Sequence, residues 1–277
     1  MVESLYWIFT RAMLTHLPPA ASGFWMVGIG ALEVAAFARG RLDWRVFWRH
    51  RSFFVAIGLL VGVNTNLGFL SMQYVEPGTA SLLSRTSIIF GVALGVLWLG
   101  ERLTRIEWGG AIVAILGAVL VSAQPGDHLR AGSLIVVVAT LLYAVHSAIV
   151  KRWGSAMPFL EFFFFRLAVT TTVLLGLGVA QNALAWPSRT AWVILIAAGT
   201  VNVVVSRGLY YLALRQLDMS VLTIALTASP VVTWIWAVAL FGGRPTTIEI
   251  VGGIAILAGV SVVSASRGGL IGRARPV

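Results

Sequence analysis

Apolar stretches close to the thickness of a bilayer recur along the whole chain, and short polar gaps separate them. A transmembrane helix needs roughly 20 predominantly apolar residues. Hydropathy and chain breakers predict spans over 5–17, 19–38, 53–73, 79–99, 107–123, 131–150, 158–180, 190–213, 219–241 and 248–265. The first is too short to cross a bilayer comfortably, and it carries Arg11. The connections are short, as in a compact helical bundle. The pattern therefore predicts an all-α integral membrane protein with about ten transmembrane helices.

Composition agrees. Of 277 residues, 58% are hydrophobic and 11% charged, where a soluble domain carries about 25% charged residues. The formal charge of +10 comes almost entirely from arginine, because Lys151 is the one lysine. The arginines sit mainly in the gaps between apolar runs, with no aromatic-basic stripe and no zinc spacing. Membrane topology explains them better than nucleic acid does.

The gap from Arg39 to Arg51 holds five arginines, and placing it in the cytoplasm fixes every later loop by alternation. Thirteen basic residues then lie inside, among them Arg102, Arg105, Lys151, Arg152 and Arg215, against Arg130, Arg189 and Arg244 outside. The bias predicts a cytoplasmic C-terminus and a bacterial-type inner membrane. Trp98, Trp108, Trp153, Trp186 and Trp192 near span ends suit an interfacial belt, while Trp25, Trp234 and Trp236 fall deeper. The start, Met1-Val2-Glu3-Ser4, lacks the basic region of a cleavable signal, so the first spans themselves are expected to target the chain.

Two copies of one unit are visible. Gly100-Glu101-Arg102-Leu103-Thr104 matches Gly242-Gly243-Arg244-Pro245-Thr246 at a shift of 142. At that shift Gly110 meets Gly252, Gly117 meets Gly259, Ser122-Ala123 meets Ser264-Ala265, and Ser87 meets Ser229. Upstream, Leu5-Tyr6 lines up with Leu142-Tyr143 after a gap of a few residues. A five-span unit has an odd number of crossings, so the copies run in opposite orientation. Inverted repeats around a midplane site are a recurring transporter architecture. The units are 1–123 and 131–265, followed by a basic cytoplasmic tail, 266–277.

These motifs carry a family resemblance. Ala80-Ser81-Leu82-Leu83 through Gly100 to Thr104, then Gly109-Gly110 and Gly117, resembles the EamA-type unit of the drug/metabolite transporter superfamily. Ala228-Ser229-Pro230 looks like the family's proline-bearing position in its ninth helix, and Pro158 followed by Arg166 looks like its proline-to-arginine spacing. The resemblance covers nearly all of the chain. It implies two five-helix repeats around a central cavity, and export of metabolites such as amino acids or related amines and carboxylates. A lipid-carrier or sugar-nucleotide translocator is the alternative within transport, and a non-transporting membrane subunit the alternative outside it. The chain departs from the pattern at Gly243, where the motif usually has Glu, at Ile88 in place of proline, and near Val27, where no arginine matches Arg166. The first copy also lacks about ten residues before its tyrosine; either span one is short or the true start lies upstream.

Ionisable groups inside spans are costly and are functional candidates. Arg85 sits among Ser81, Ser84, Thr86 and Ser87 on the outer part of span four. It suits a substrate carboxylate or phosphate, or else a structural pair or a snorkel to the outer headgroups. Ser84, Ser87, Asn64, Asn66, His146, Asn202 and Arg207 are further substrate-binding candidates. His146 either titrates during transport or packs as a buried histidine, and the asparagines either meet substrate or join helices. Glu33, Glu161 and Arg166 are gate or coupling candidates on the cytoplasmic half, where snorkelling is the competing use. At most two of Phe162 to Phe165 can face one cavity. Gly110, Gly117, Gly252 and Gly259, at intervals of seven, predict close helix packing, either within the chain or in a homodimer through spans five and ten.

Several chemistries are excluded. The sequence has no cysteine for a disulfide or thiolate metal site, and no Gly-x-x-x-x-Gly-Lys phosphate loop. Lys151 lies in a loop, so no buried retinal Schiff base can form. Acidic residues are too scattered for a membrane enzyme. No cofactor, metal or nucleic acid is expected, and the partners are a small-molecule substrate and lipid.

Overall fold

The computed structural model describes residues 4–87, 89–90, 93–94, 104–122, 127–154, 157–216, 229–242 and 246–267. Sequence expectations at residues 88, 98, 100–103, 228, 243–245 and 268–277 lie outside that set. Among the described residues every regular element is helical. In chain order these are α1 (Leu5–Met13), α2 (Pro19–Ala38), α3 (Trp44–Arg49), α4 (Arg51–Ser71), α5 (Pro77–Ser84), α6 (Arg105–Ser122), α7 (Asp127–Trp153) and α8 (Phe159–Ala180). They are followed by α9 (Arg189–Ala198), a π-helical segment (Gly199–Ser206), α10 (Arg207–Gln216), α11 (Ser229–Phe241) and α12 (Thr247–Arg267).

Six stretches are long and apolar enough to cross a membrane: Pro19–Ala38, Arg51–Ser71, Ala131–Trp153, Phe159–Ala180, Arg189–Leu212 and Thr247–Ser266. Their outward faces expose Leu32, Phe37, Val193 and Ile254. Contiguous apolar surface of this kind is stable against lipid and not against water. The chain is a multi-pass membrane protein. α1 is short, since its nine residues rise only about 13.5 Å.

Helix ends follow local chemistry. Proline opens α2 and α5 at the first turn, where its missing N–H costs nothing. α2 stops at Arg39 in the left-handed region, φ 44°, followed by Gly40 at φ 79°. The polar stretch after it, read from sequence as a loop, contains α3, capped by Asp43 accepting from the Arg45 N–H at 2.9 Å. Trp44 and Phe47 dock α3 onto Phe165, with ring centroids 5.2 and 5.4 Å apart, while Arg45 and Arg49 extend the arginine-rich end of the bundle.

Two predicted spans are interrupted. α5 ends at Ser84, and the next two residues tighten: the Arg85 N–H reaches Leu82 O and the Thr86 N–H reaches Leu83 O, both at 3.0 Å. Ser84 Oγ and Thr86 Oγ1 also donate to carbonyls three residues back, at 2.7 Å each. Such local bonds compete with the α-helical ladder. The span over 190–213 is likewise broken by the π-helical segment.

Packing uses small residues. α6 and α12 lie against each other along a glycine seam. A Cβ on Gly110 would come 2.8 Å from Gly259 O, and one on Gly117 would come 2.6 Å from Gly252 O. Gly58 and Gly62 of α4 admit Val169 and Val173 of α8, and Gly30 of α2 admits Val203 of the π segment. Two cores result: a larger one among α2, α4, α7, α8 and α9, and a smaller one joining Trp7 to α5, α6 and α12.

Candidate functional site

The interior holds a polar cavity of about 40 Å³, room for roughly three waters. The π segment shapes one wall. Gly30 and Gly199 let α2 and the π segment approach closely, and the Thr200 hydroxyl lies 2.7 Å from Glu33 Oε1 and 2.9 Å from Ile196 O, its one proton shared between these two acceptors. π turns insert a residue into an α-helix and concentrate at functional sites. Here the turn brings Asn202, 2% exposed, to the cavity wall.

Arg166 and Arg207 supply two guanidiniums. Arg166, two turns into α8, is 3% exposed. Its Cζ lies 5.0 Å from the Tyr211 ring centre, and its Nε and Nη1 have no hydrogen-bond partner among the described residues. Arg207, the first residue of α10, donates from Nη1 to the Tyr143 hydroxyl at 3.1 Å. Its Cζ lies 5.3 Å from the Tyr143 ring and 5.7 Å from the Tyr6 ring. Asn64, Thr65 and Thr170 add polar edges, and Met26, Val27, Val61, Leu167 and Val203 make the apolar wall. The described lining residues include no carboxylate.

The predicted residues divide accordingly. Asn64, Asn202, Arg166 and Arg207 line the cavity. Asn66 does not: two residues along a helix is about a 200° rotation, and it points away from Asn64. His146 is fully buried behind the wall, its ring centre 5.7 Å from Tyr143 and 6.4 Å from Tyr211, and neither ring nitrogen has a partner among the described residues. Arg85, Ser84 and Ser87 sit at the end of α5 beside the smaller core, away from this cavity. Neither arginine of the cavity pairs with Glu33 or Glu161 among the described residues: Glu33 takes the Thr200 hydroxyl, and Glu161 occupies the first turn of α8. There a carboxylate favours the helix N-terminus. The four glycines pack on each other within the chain. Among the described residues no group of three or more His, Asp or Glu could hold a metal.

Tyr6, Tyr143 and Tyr211 were not anticipated as site residues. The signal for two of them was present, because Leu5-Tyr6 and Leu142-Tyr143 already matched as repeat partners. Two capping boxes were also missed. Thr104 and Glu107 exchange bonds at the start of α6 (Thr104 N–H to Glu107 Oε2, 2.7 Å; Glu107 N–H to Thr104 Oγ1, 3.2 Å). Thr246 and Glu249 do the same for α12, at 2.8 and 3.2 Å.

Comparison with known proteins gives a consistent answer. The model of the EamA-like transporter family matches residues 1–123 and 130–265. An uncharacterized transporter of Bacillus subtilis, YdfC, is 25% identical over 217 residues, covering 70% of this chain and 68% of the relative. A probable terminal-alkyne amino-acid exporter of Streptantibioticus cattleyicolor is 29% identical over 201 residues, covering 69% of this chain and 65% of that protein. A probable amino-acid metabolite efflux pump of Salmonella typhimurium is 23% identical over 288 residues, covering 95% and 91%. The chain thus spans about two thirds of the first two relatives and nine tenths of the third. A crystal structure of a protein shares the fold at TM-score 0.69 and 19% identity, over 94% of each chain.

Proposed function

This chain belongs to the EamA-like transporter family, and we propose that it exports small metabolites, amino acids or related amines and carboxylates, across the inner membrane by alternating access. Its family makes it a transporter and not an enzyme. One observation carries the reading: the polar cavity is lined by α1, α2 and α4 from the first half of the chain and by α7, α8, the π segment and α10 from the second. A site between two halves that can rock against each other is what alternating access requires. The names of the Streptantibioticus and Salmonella relatives support an amino-acid cargo.

We read the chain as ten spans in two inverted five-helix repeats. The glycine seam supports this, since each of its contacts pairs a first-half glycine with one from the second half. So do the two capping boxes, at Thr104 and Thr246, and the convergence of Tyr6 and Tyr143 on Arg207. The arginine bias supports a cytoplasmic C-terminus. Because the seam is internal, a homodimer through α6 and α12 would use their outward faces, where Ile112, Leu116, Ile250 and Ile254 are exposed.

The test is flux into liposomes containing the purified full chain. Amino acids, amines, organic acids and sugar nucleotides form the panel. Saturable flux of an amino acid, amine or organic acid is expected. Flux of sugar nucleotides alone, or of nothing in correctly inserted protein, would refute the reading.

A further inference from the structure

We infer that the cavity recognises its cargo by a carboxylate, with Arg166, Arg207 and Asn202 as the headgroup site and the aliphatic wall taking an apolar body. This rests on the carrier reading and names its substrate class.

The argument begins with cost. A guanidinium stays protonated under all ordinary conditions, and burying one at membrane depth is expensive without a counter-charge. Arg166 is 3% exposed, yet its Nε and Nη1 have no partner among the described residues. Asn202 is 2% exposed, and neither its amide oxygen nor its nitrogen is bonded among them. Both lie on one cavity with Arg207. Unmet donors on Arg166 and Asn202, with the Arg207 charge on the same space, fit an oxyanion that arrives from outside the protein.

A guanidinium edge matches the two oxygens of a carboxylate, the anionic group that the amino-acid and organic-acid cargoes proposed above share. Tyr143 and Tyr6 both contact Arg207, Tyr143 by the 3.1 Å bond and its ring and Tyr6 by its ring. Met26, Val27, Val61, Leu167 and Val203 offer only apolar contact. No carboxylate stands among the described lining residues to meet an ammonium. The headgroup contacts argued here are to the carboxylate, so the deaminated acid is expected to bind alongside the amino acid.

The experiment uses the full-length protein, with binding read by thermal stabilisation and transport by liposome flux. Two apolar bodies, isoamyl and phenethyl, are each presented as amino acid, deaminated carboxylate, amine and phosphate ester: leucine, 4-methylpentanoate, isoamylamine and isoamyl phosphate for the first. Both carboxylate forms of at least one body are expected to bind and move, and the amine and phosphate are not. Arg166→Gln should raise the carboxylate Kd about ten- to a hundredfold, with Arg166→Lys recovering part of it and Asn202→Ala raising it severalfold. If Arg166→Gln does not fold, Arg166→Lys and Asn202→Ala carry the test.

Amine or phosphate binding as tight as carboxylate would overturn the inference and leave the carrier reading intact. So would carboxylate affinity unchanged by these substitutions, or saturable flux confined to compounds without a carboxylate. Absence of saturable flux for every compound would overturn both.

Discussion

Arg207 donates to the Tyr143 hydroxyl at 3.1 Å, and Tyr143 is the residue that the internal repeat pairs with Tyr6, whose ring lies 5.7 Å from the same guanidinium. Equivalent positions of the two halves thus close on one charge. The two tyrosines are not equivalent in what they give. Tyr143 contributes a hydrogen bond and a ring, whereas Tyr6 contributes a ring to Arg207 and places its hydroxyl against Gly68.

The difference is measurable. Tyr143→Phe keeps the ring and removes a bond to a charged group, worth about 1.5–3 kcal/mol. It should weaken substrate binding severalfold in the flux assay. Tyr6→Phe should change affinity by less than Tyr143→Phe does. An equal loss from both would assign the role to the rings' hydroxyls in some other bond.

The glycine seam makes a sharper stability prediction. A Cβ on Gly117 would stand 2.6 Å from Gly252 O, in backbone that cannot yield cheaply. Gly117→Ala should cost about 1–3 kcal/mol, the usual range for overpacking, and lower the unfolding temperature in detergent. Gly109 has nothing within 4 Å. Gly109→Ala should be neutral or stabilising by up to about 1 kcal/mol, the helix-propensity gain.

That seam was legible in the sequence because spacing of seven on a helix is a one-dimensional pattern. So were the membrane class and six of the predicted spans, which depend only on apolar run length. The cavity was less so. Arg85 stood out for its serine-rich neighbourhood, but those same serines and threonines bond back to the chain and turn the helix at Ser84. The arginines that reach the cavity, Arg166 and Arg207, looked equally able to snorkel. What distinguishes them is their contacts with Tyr211, Tyr143 and Tyr6, across helices, which no spacing rule encodes. The π turn that presents Asn202 is likewise set by close approach to α2, at Gly30 and Gly199.

Glu249 serves two elements. It caps α12 through Thr246 and also accepts the Thr79 hydroxyl from the start of α5. Glu249→Ala should therefore cost more than the ~1 kcal/mol typical of a lost cap. Thr79→Val should remove the α5 link alone and cost less than Glu249→Ala. Thermal unfolding of the two variants and their double mutant would expose the shared bond as non-additivity.

Arg11 was conspicuous as a charge in an apolar first span. Its Nη1 donates to the Met72 carbonyl at the end of α4, where a cation satisfies an orphan acceptor and opposes the helix dipole. Arg11→Gln should lower stability by about 1 kcal/mol, with Arg11→Lys intermediate. A substrate Kd unchanged in both variants would agree with a structural role, and a large Kd change would contradict it.

Glu33 offers the clearest choice between proton carriage and positioning. Its Oε1 accepts from Thr200 at 2.7 Å, and Thr200 is the second residue of the π segment that brings Asn202 to the cavity. A glutamine retains an acceptor oxygen at that place and cannot carry a proton. If Glu33 positions the π segment, Glu33→Gln should transport at close to the parent rate with the same pH profile. Glu33→Ala and Thr200→Val should then lose substrate affinity together, since both leave the π segment without its tie to α2. Loss of pH dependence in Glu33→Gln, with affinity retained, would instead assign the carboxylate to coupling. Flux measured across pH on these variants decides between the two, because only titration distinguishes an acid from its amide when the hydrogen bond is conserved.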